Sequence, residues 1–150
     1  VHLKGDSMKL VQHLLDSKGR GVISIAADAS VLDAIKIMAE RAVGSLLVMR
    51  GDELLGIVTE RDYARKVIIK GRSSQSTEVS EIMTAEVCTA SAQDTVKKCM
   101  TVMSERKIRH LPVVDDGAVV GMISIGDLVQ AIISDQQEEI QHLEQYISGQ

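Results

Sequence analysis

Two short stretches have the residue types and spacing to do chemistry: Thr59-Glu60-Arg61-Asp62 and Ser124-Ile125-Gly126-Asp127. Each sets a hydroxyl three residues before a carboxylate, behind a glycine and an aliphatic pair, Gly56-Ile57-Val58 and Gly121-Met122-Ile123. The apolar run reads as a strand, and the carboxylate falls in the first turn of a helix. An ionised carboxylate only accepts hydrogen bonds and can take both vicinal hydroxyls of a ribose. The neighbouring hydroxyl and the free N–H groups of a helix start suit a phosphate. Asp62 and Asp127 are therefore candidate ribose ligands, with Thr59 and Ser124 candidate phosphate ligands. The same pairs match a capping box, in which the two side chains merely satisfy helix donors. The two roles are compatible.

Basic residues set how much phosphate could be held. From Glu60 to Arg72 the chain carries Arg61, Arg65, Lys66, Lys70 and Arg72 against Glu60 and Asp62, a local excess of +3 in a chain of net charge −4. Arg61, between Thr59 and Asp62, is the leading phosphate partner. The second stretch has Gly126 there and offers Arg109 and His110 where the first has Gly44 and Ser45. A solvated helix face and an ordinary strand histidine would explain the same residues.

These stretches are two copies of one pattern. Residues 22–68 laid over 87–133, at a constant offset of 65, give eleven identities, among them Val31/Val96, Met38/Met103, Gly56/Gly121 and Asp62/Asp127. Internal repetition means that similar units are docked to build the fold. Each copy reads as strand, helix, strand, turn, strand, helix. In the first these are Val22 to Ile25, Ala29 to Arg41 (with Val31, Leu32, Ile35, Met38 and Ala39 inward), Ser45 to Met49, a turn at Gly51-Asp52, Leu54 to Val58, and a helix from Glu60 to about Ile69. In the second they are Val87 to Thr89, Asp94 to Arg106, His110 to Val114, a turn at Asp116-Gly117, Val119 to Ser124, and a helix from Asp127. The organisation is an N-terminal helix over 8–20, a first motif over 21–70, a linker and return turn over 71–84, a second motif over 85–134, and a C-terminal helix extension over 135–150. That extension carries Ile140, Leu143 and Ile147 on one stripe, suited to its own domain or a twin.

Composition narrows the rest. With 150 residues, 45% hydrophobic, but no Phe, no Trp and two Tyr, the core must be aliphatic and rich in methionine. Without aromatic platforms or a basic surplus, nucleic acid is not an expected partner. No apolar run approaches the ~20 residues of a membrane span, and no leader pattern opens the sequence, so a cytoplasmic setting without membrane attachment is expected. Cys88 and Cys99 lack CxxC spacing and read as reduced packing residues. His2, His13, His110 and His142 are scattered, so no metal site is expected. No P-loop, HExxH, GxSxG or full dinucleotide fingerprint occurs, and no catalytic residue is assigned.

The joint pattern of Glu81-Ile82-Met83-Thr84, Lys107-Ile108-Arg109-His110-Leu111-Pro112-Val113-Val114-Asp115 and Gly121-Met122-Ile123-Ser124-Ile125-Gly126-Asp127 resembles the CBS domain, the regulatory module named after cystathionine β-synthase. Gly56 to Asp62 is the matching run of the first copy, and the resemblance covers about residues 20–135. It implies an α+β fold: a stand-alone pair of β-α-β-β-α motifs (a Bateman module) packed with pseudo-twofold symmetry, with terminal helices added. It also implies adenosine-containing ligands in clefts between the paired sheets, namely AMP, ADP, ATP, S-adenosylmethionine or a dinucleotide; AMP is expected first, with ATP or NAD(H) as alternatives. The adenine would lie against the short strands, read by the main chain of Val22, Ile23, Ser24, Val87, Cys88 and Thr89. Arg109 and His110 would face phosphates. Ile23, Leu46, Ile57, Leu111 and Met122 would wall the pocket or simply form core. A homodimer is implied, with an unidentified protein effector. A ligand-free dimerisation or interaction module is the alternative.

Overall fold

Why the second copy needs a different sheet from the first follows from one proline. In the computed structural model, which describes residues 9–148, the chain divides into two units. One is Gly21–Cys88; the other joins the residues up to Arg20 with those from Thr89 onward.

In the Gly21–Cys88 unit, β1 (Ser24–Ile25) pairs in parallel with β2 (Ser45–Arg50), which pairs antiparallel with β3 (Glu53–Thr59). A parallel pair requires a crossover, supplied by α2 (Val31–Arg41); α1 (Val11–Lys18) belongs to the other unit. Ser30 caps α2 by accepting from the Asp33 N–H, and Ala42 ends it in the left-handed region. The linker contributes too: Thr77 and Ser74 carbonyls accept the Val31 and Leu32 N–H groups at 2.9 Å each, partnering helix donors that would otherwise be orphaned. After β3 come α3 (Glu60–Tyr63) and a π-helical turn, Ala64–Ile68. Val31, Ala34, Met38, Leu46, Val48, Val58, Val67, Val79 and Ile82 form the buried core. Leu32 and Ile35 are only half-buried and Ala39 is exposed, so the inward face of α2 runs through Ala34 instead.

The other unit holds α1 (Val11–Lys18), α4 (Val96–Arg106), β4 (His110–Asp115), β5 (Ala118–Ser124) and α5 (Ile125–Ser148). Met8, expected to begin the first helix, lies outside the described residues, as do the last two of the expected extension. Here β4 and β5 form a two-stranded sheet, and no strand forms at Val87 to Thr89. In the first copy the Leu47 N–H donates to the Ile23 carbonyl at 3.1 Å. Its counterpart is Pro112, which has no N–H to give. Pairing with β4 is therefore reduced to a single parallel bridge, Ala90 to Val113. The hairpins otherwise repeat. Each turns in two residues, Gly51-Asp52 or Asp116-Gly117, and each has a register shift, between Val48 and Met49 or between Val113 and Val114. Thr95 caps α4, accepting from the Lys98 N–H, and Lys107 ends it in the left-handed region. The last helix starts at Ile125, two residues before the expected Asp127, because Ser124 caps it by accepting from the Asp127 N–H at 3.2 Å; the Ile125 N–H donates to the Arg109 carbonyl at 2.8 Å. Glu60 and Gly44 make the same contact at 3.1 Å.

Gly56 and Gly121 occupy matching places for a matching reason. A Cβ on Gly56 would lie 2.7 Å from the Thr84 carbonyl oxygen and 2.9 Å from Met83 Sδ. One on Gly121 would lie 2.6 Å from Leu15 Cδ2. In each unit a segment from outside the repeat, the stretch after the linker or α1, presses on the second hairpin strand.

Candidate functional site

Each strand-to-helix turn is built by the end of a buried strand and the first turn of a helix. At the first, the Thr59 N–H and hydroxyl donate to Asp62 Oδ2 at 3.0 and 3.1 Å, and the Asp62 N–H donates to Thr59 Oγ1 at 3.1 Å. At the second, the Ser124 N–H donates to Asp127 Oδ2 at 2.8 Å, and the Asp127 N–H donates to Ser124 Oγ at 3.2 Å. Both pairs are thus capping boxes that hold each carboxylate at the mouth of its helix. Asp62 is buried, and Asp127 half-buried.

A lysine reaches each carboxylate, by different routes. Lys66, one turn further along, places Nζ 3.1 Å from Asp62 Oδ1 and donates to the Ile82 carbonyl at 2.8 Å. Lys18, the last residue of α1, places Nζ 2.6 Å from Asp127 Oδ2 and donates to the Met122 carbonyl at 2.9 Å. Position 131, the counterpart of Lys66, is Ala131, and position 83, the counterpart of Lys18, is Met83. The two copies therefore reach one arrangement, carboxylate to ammonium to carbonyl, with non-equivalent residues. Lys66 is legible as an i,i+4 partner of Asp62 on a helix. Lys18 is 109 residues from Asp127, and only the fold brings it there.

Burial by itself would raise the Asp127 carboxyl, but the hydrogen bonds from Lys18 and the Ser124 N–H, with the charge of Lys18, outweigh it and hold the pKa below the ordinary value. A depressed folded pKa contributes stability that is fully present above the unfolded value and is lost as pH falls through the folded one. Asp127→Asn is thus expected to be less stable than the parent at neutral pH, with the gap closing as pH falls below about 4. Urea denaturation from pH 7 to pH 3 checks this; a gap that stays constant contradicts it.

The remaining candidates are spread along the two units. Arg61 is exposed on α3, next to the carboxylate, and its guanidinium has no ion-pair partner among the described residues. In the other unit Arg109 is exposed and His110 half-buried at the start of β4, where His110 pairs in register with Ser124. Among the short-segment residues, Ser24 lies in β1, Val22 and Ile23 precede it, and Val87, Cys88 and Thr89 are outside any strand. Leu46 and Leu111 are fully buried core, whereas Ile23, Ile57 and Met122 are half-buried. In the α1–α5 unit a cavity of about 160 Å³ opens beside Asp127, lined in part by Lys9, His13, Ser17 and Lys18. Among the described residues no group of three His, Cys, Asp or Glu side chains could hold a metal ion, and no helix is long and apolar enough to cross a membrane.

The chain is similar to known proteins. The family profile described as "CBS domain" matches residues 19–69 and 79–134. The chain is 41% identical over 148 residues to the mitochondrial CBS domain-containing protein CBSX3 of Arabidopsis thaliana, covering 93% of this chain and 72% of that one. A solved structure of a protein with CBS domains from Burkholderia ambifaria MC40-6 is 49% identical, with a TM-score of 0.83, covering 85% of this chain and 96% of that one. The CBS domain pair of protein MJ0100, in complex with 5′-methylthioadenosine and S-adenosyl-L-methionine, is 28% identical with a TM-score of 0.75, covering 84% and 97%.

Proposed function

The chain belongs to the CBS-domain family and carries two such domains in tandem, a regulatory module, and on that premise we propose that it senses an adenine nucleotide. The observation that carries this reading is the repeated turn: a capped carboxylate at a helix mouth with a cation at its side, present in both units. In this reading Asp62 and Asp127 take ribose hydroxyls, and Thr59, Arg61, Ser124, Arg109 and His110 serve phosphate. The main chain of Val22 to Ser24 and Val87 to Thr89 reads the adenine. With no strand at Val87 to Thr89, backbone groups there are not spent on a ladder. MJ0100, which binds two adenosine compounds, supports the ligand class, and AMP is our first choice within it, ahead of ATP and NAD(H). The module acts by binding and not by catalysis: a ligand that favours one of two states shifts their population by its differential affinity.

A homodimer belongs to the same proposal. Ile140, Leu143 and Ile147 on α5 are more than half exposed, at spacings of three and four, the seam one helix offers another. A protein effector would read the dimer. We place the protein in the cytoplasm, with Cys88 and Cys99 reduced, although the Arabidopsis relative is mitochondrial.

Thermal shift tests the ligand class. With the chain stripped of nucleotide, AMP at a hundredfold excess over Kd is expected to add about 2.7 kcal/mol of stability. An unchanged melting curve with AMP, ATP and NADH favours the ligand-free interaction module.

A further inference from the structure

We infer that Lys18 and Lys66 are the residues that make this chain prefer a phosphorylated adenosine ligand to a bare nucleoside, a reading that rests on the ligand class proposed above. Three observations support it. Each lysine is bonded to a candidate ribose carboxylate and to one backbone carbonyl. An ammonium has three donors, so one donor and the charge remain to be used. Each side chain is also about 40% exposed, 39% for Lys18 and 41% for Lys66, so a ligand can reach it.

Both carboxylates keep acceptor positions as well. Lys18 and the Ser124 N–H meet Asp127 at Oδ2, and at Asp62 only Lys66 takes Oδ1. An ionised carboxylate has about four such positions. A sugar hydroxyl can therefore enter at Oδ1 while the lysine stays. In this reading the group on the 5′ carbon of that sugar reaches the ammonium. If that group is a phosphate, the third donor forms a charge-assisted bond; a nucleoside leaves it to water.

The second copy depends on this device more than the first. It has Gly126 where the first has Arg61, so its turn has no cation of its own, and α1 delivers one from a distant part of the chain. The cavity beside Lys18 is also lined by Lys9 and His13. Lys9 is paired with Asp135 at 3.1 Å, which leaves Lys18 as the cation next to Asp127.

The test compares AMP with adenosine by isothermal titration on the parent chain, Lys18→Met, Lys66→Met and the double variant, each checked by circular dichroism melting. The parent is expected to bind AMP more tightly. In the double variant the AMP-to-adenosine preference should fall about tenfold or more, with adenosine affinity nearly unchanged. Lys18→Arg should retain the preference. If Lys18→Met fails to fold, the near-isosteric neutral Lys18→Gln carries the same comparison. AMP and adenosine weakening in parallel would mean that the lysines only brace the turns, and an unchanged preference would likewise overturn the inference. A parent chain that binds neither compound would overturn the ligand class itself, a result distinct from both.

Discussion

Leu15→Ala is expected to cost about 2–5 kcal/mol of stability, measured by urea denaturation, because Leu15 is fully buried and a truncated core leucine leaves a cavity. The same side chain is what forbids a residue larger than glycine at position 121, its Cδ2 lying 2.6 Å from where a Cβ would sit. Gly121→Ala alone should cost about 1–3 kcal/mol by overpacking. Combined with Leu15→Ala, the added methyl enters the vacated space, so the double variant should be more stable than the sum of the two by about 1 kcal/mol. Strict additivity would show that α1 does not press on β5. Gly56→Ala provides the contrast. Its nearest neighbour is the Thr84 carbonyl oxygen, backbone that pairs with Ile57, so no side-chain truncation should rescue it.

The second large effect concerns the ligand. Asp62→Ala is expected to weaken AMP binding at the first unit by about tenfold to a hundredfold, the range for a hydrogen bond to a charged group. Asp127→Ala should weaken binding at the other unit by less, because Arg61 has no counterpart at Gly126 and the first turn holds the ligand at more points. A site-resolved titration separates the two, and equal losses would contradict the ranking. Each substitution also removes a capping box, worth roughly 0.5–2 kcal/mol of stability. Melting curves are therefore needed alongside the titrations.

The α+β repeat was readable in the sequence because its signals are local. Gly-aliphatic-aliphatic runs, helix periodicity and turn residues lie within a few positions of one another, and the constant offset of 65 exposes their doubling. The capping boxes were legible for the same reason. What local pattern could not reveal was set by partners far along the chain. The expected strand at Val87 to Thr89 has the right residues, yet a strand exists only through its neighbour's donors, and Pro112 withholds one. Ala39 fits the helical period but lies on the side of α2 that the core does not cover. Gly56 and Gly121 were visible as repeated glycines, but their reason, a segment pressing from outside the motif, was not. Lys18 carries no sequence signal of this role, since a cation at a helix C-terminus is favourable in any case.

The claim at the centre of this account is that the repeated Ser/Thr-x-x-Asp turns hold an adenine nucleotide. Isothermal titration of the chain, stripped of nucleotide by unfolding and refolding, with AMP, ATP and NADH in turn, tests it most directly. The account predicts heat with AMP that disappears when Asp62 and Asp127 are both replaced by alanine in a variant that still melts cooperatively. No heat with any of the three, and no nucleotide in the stripping supernatant, would contradict it.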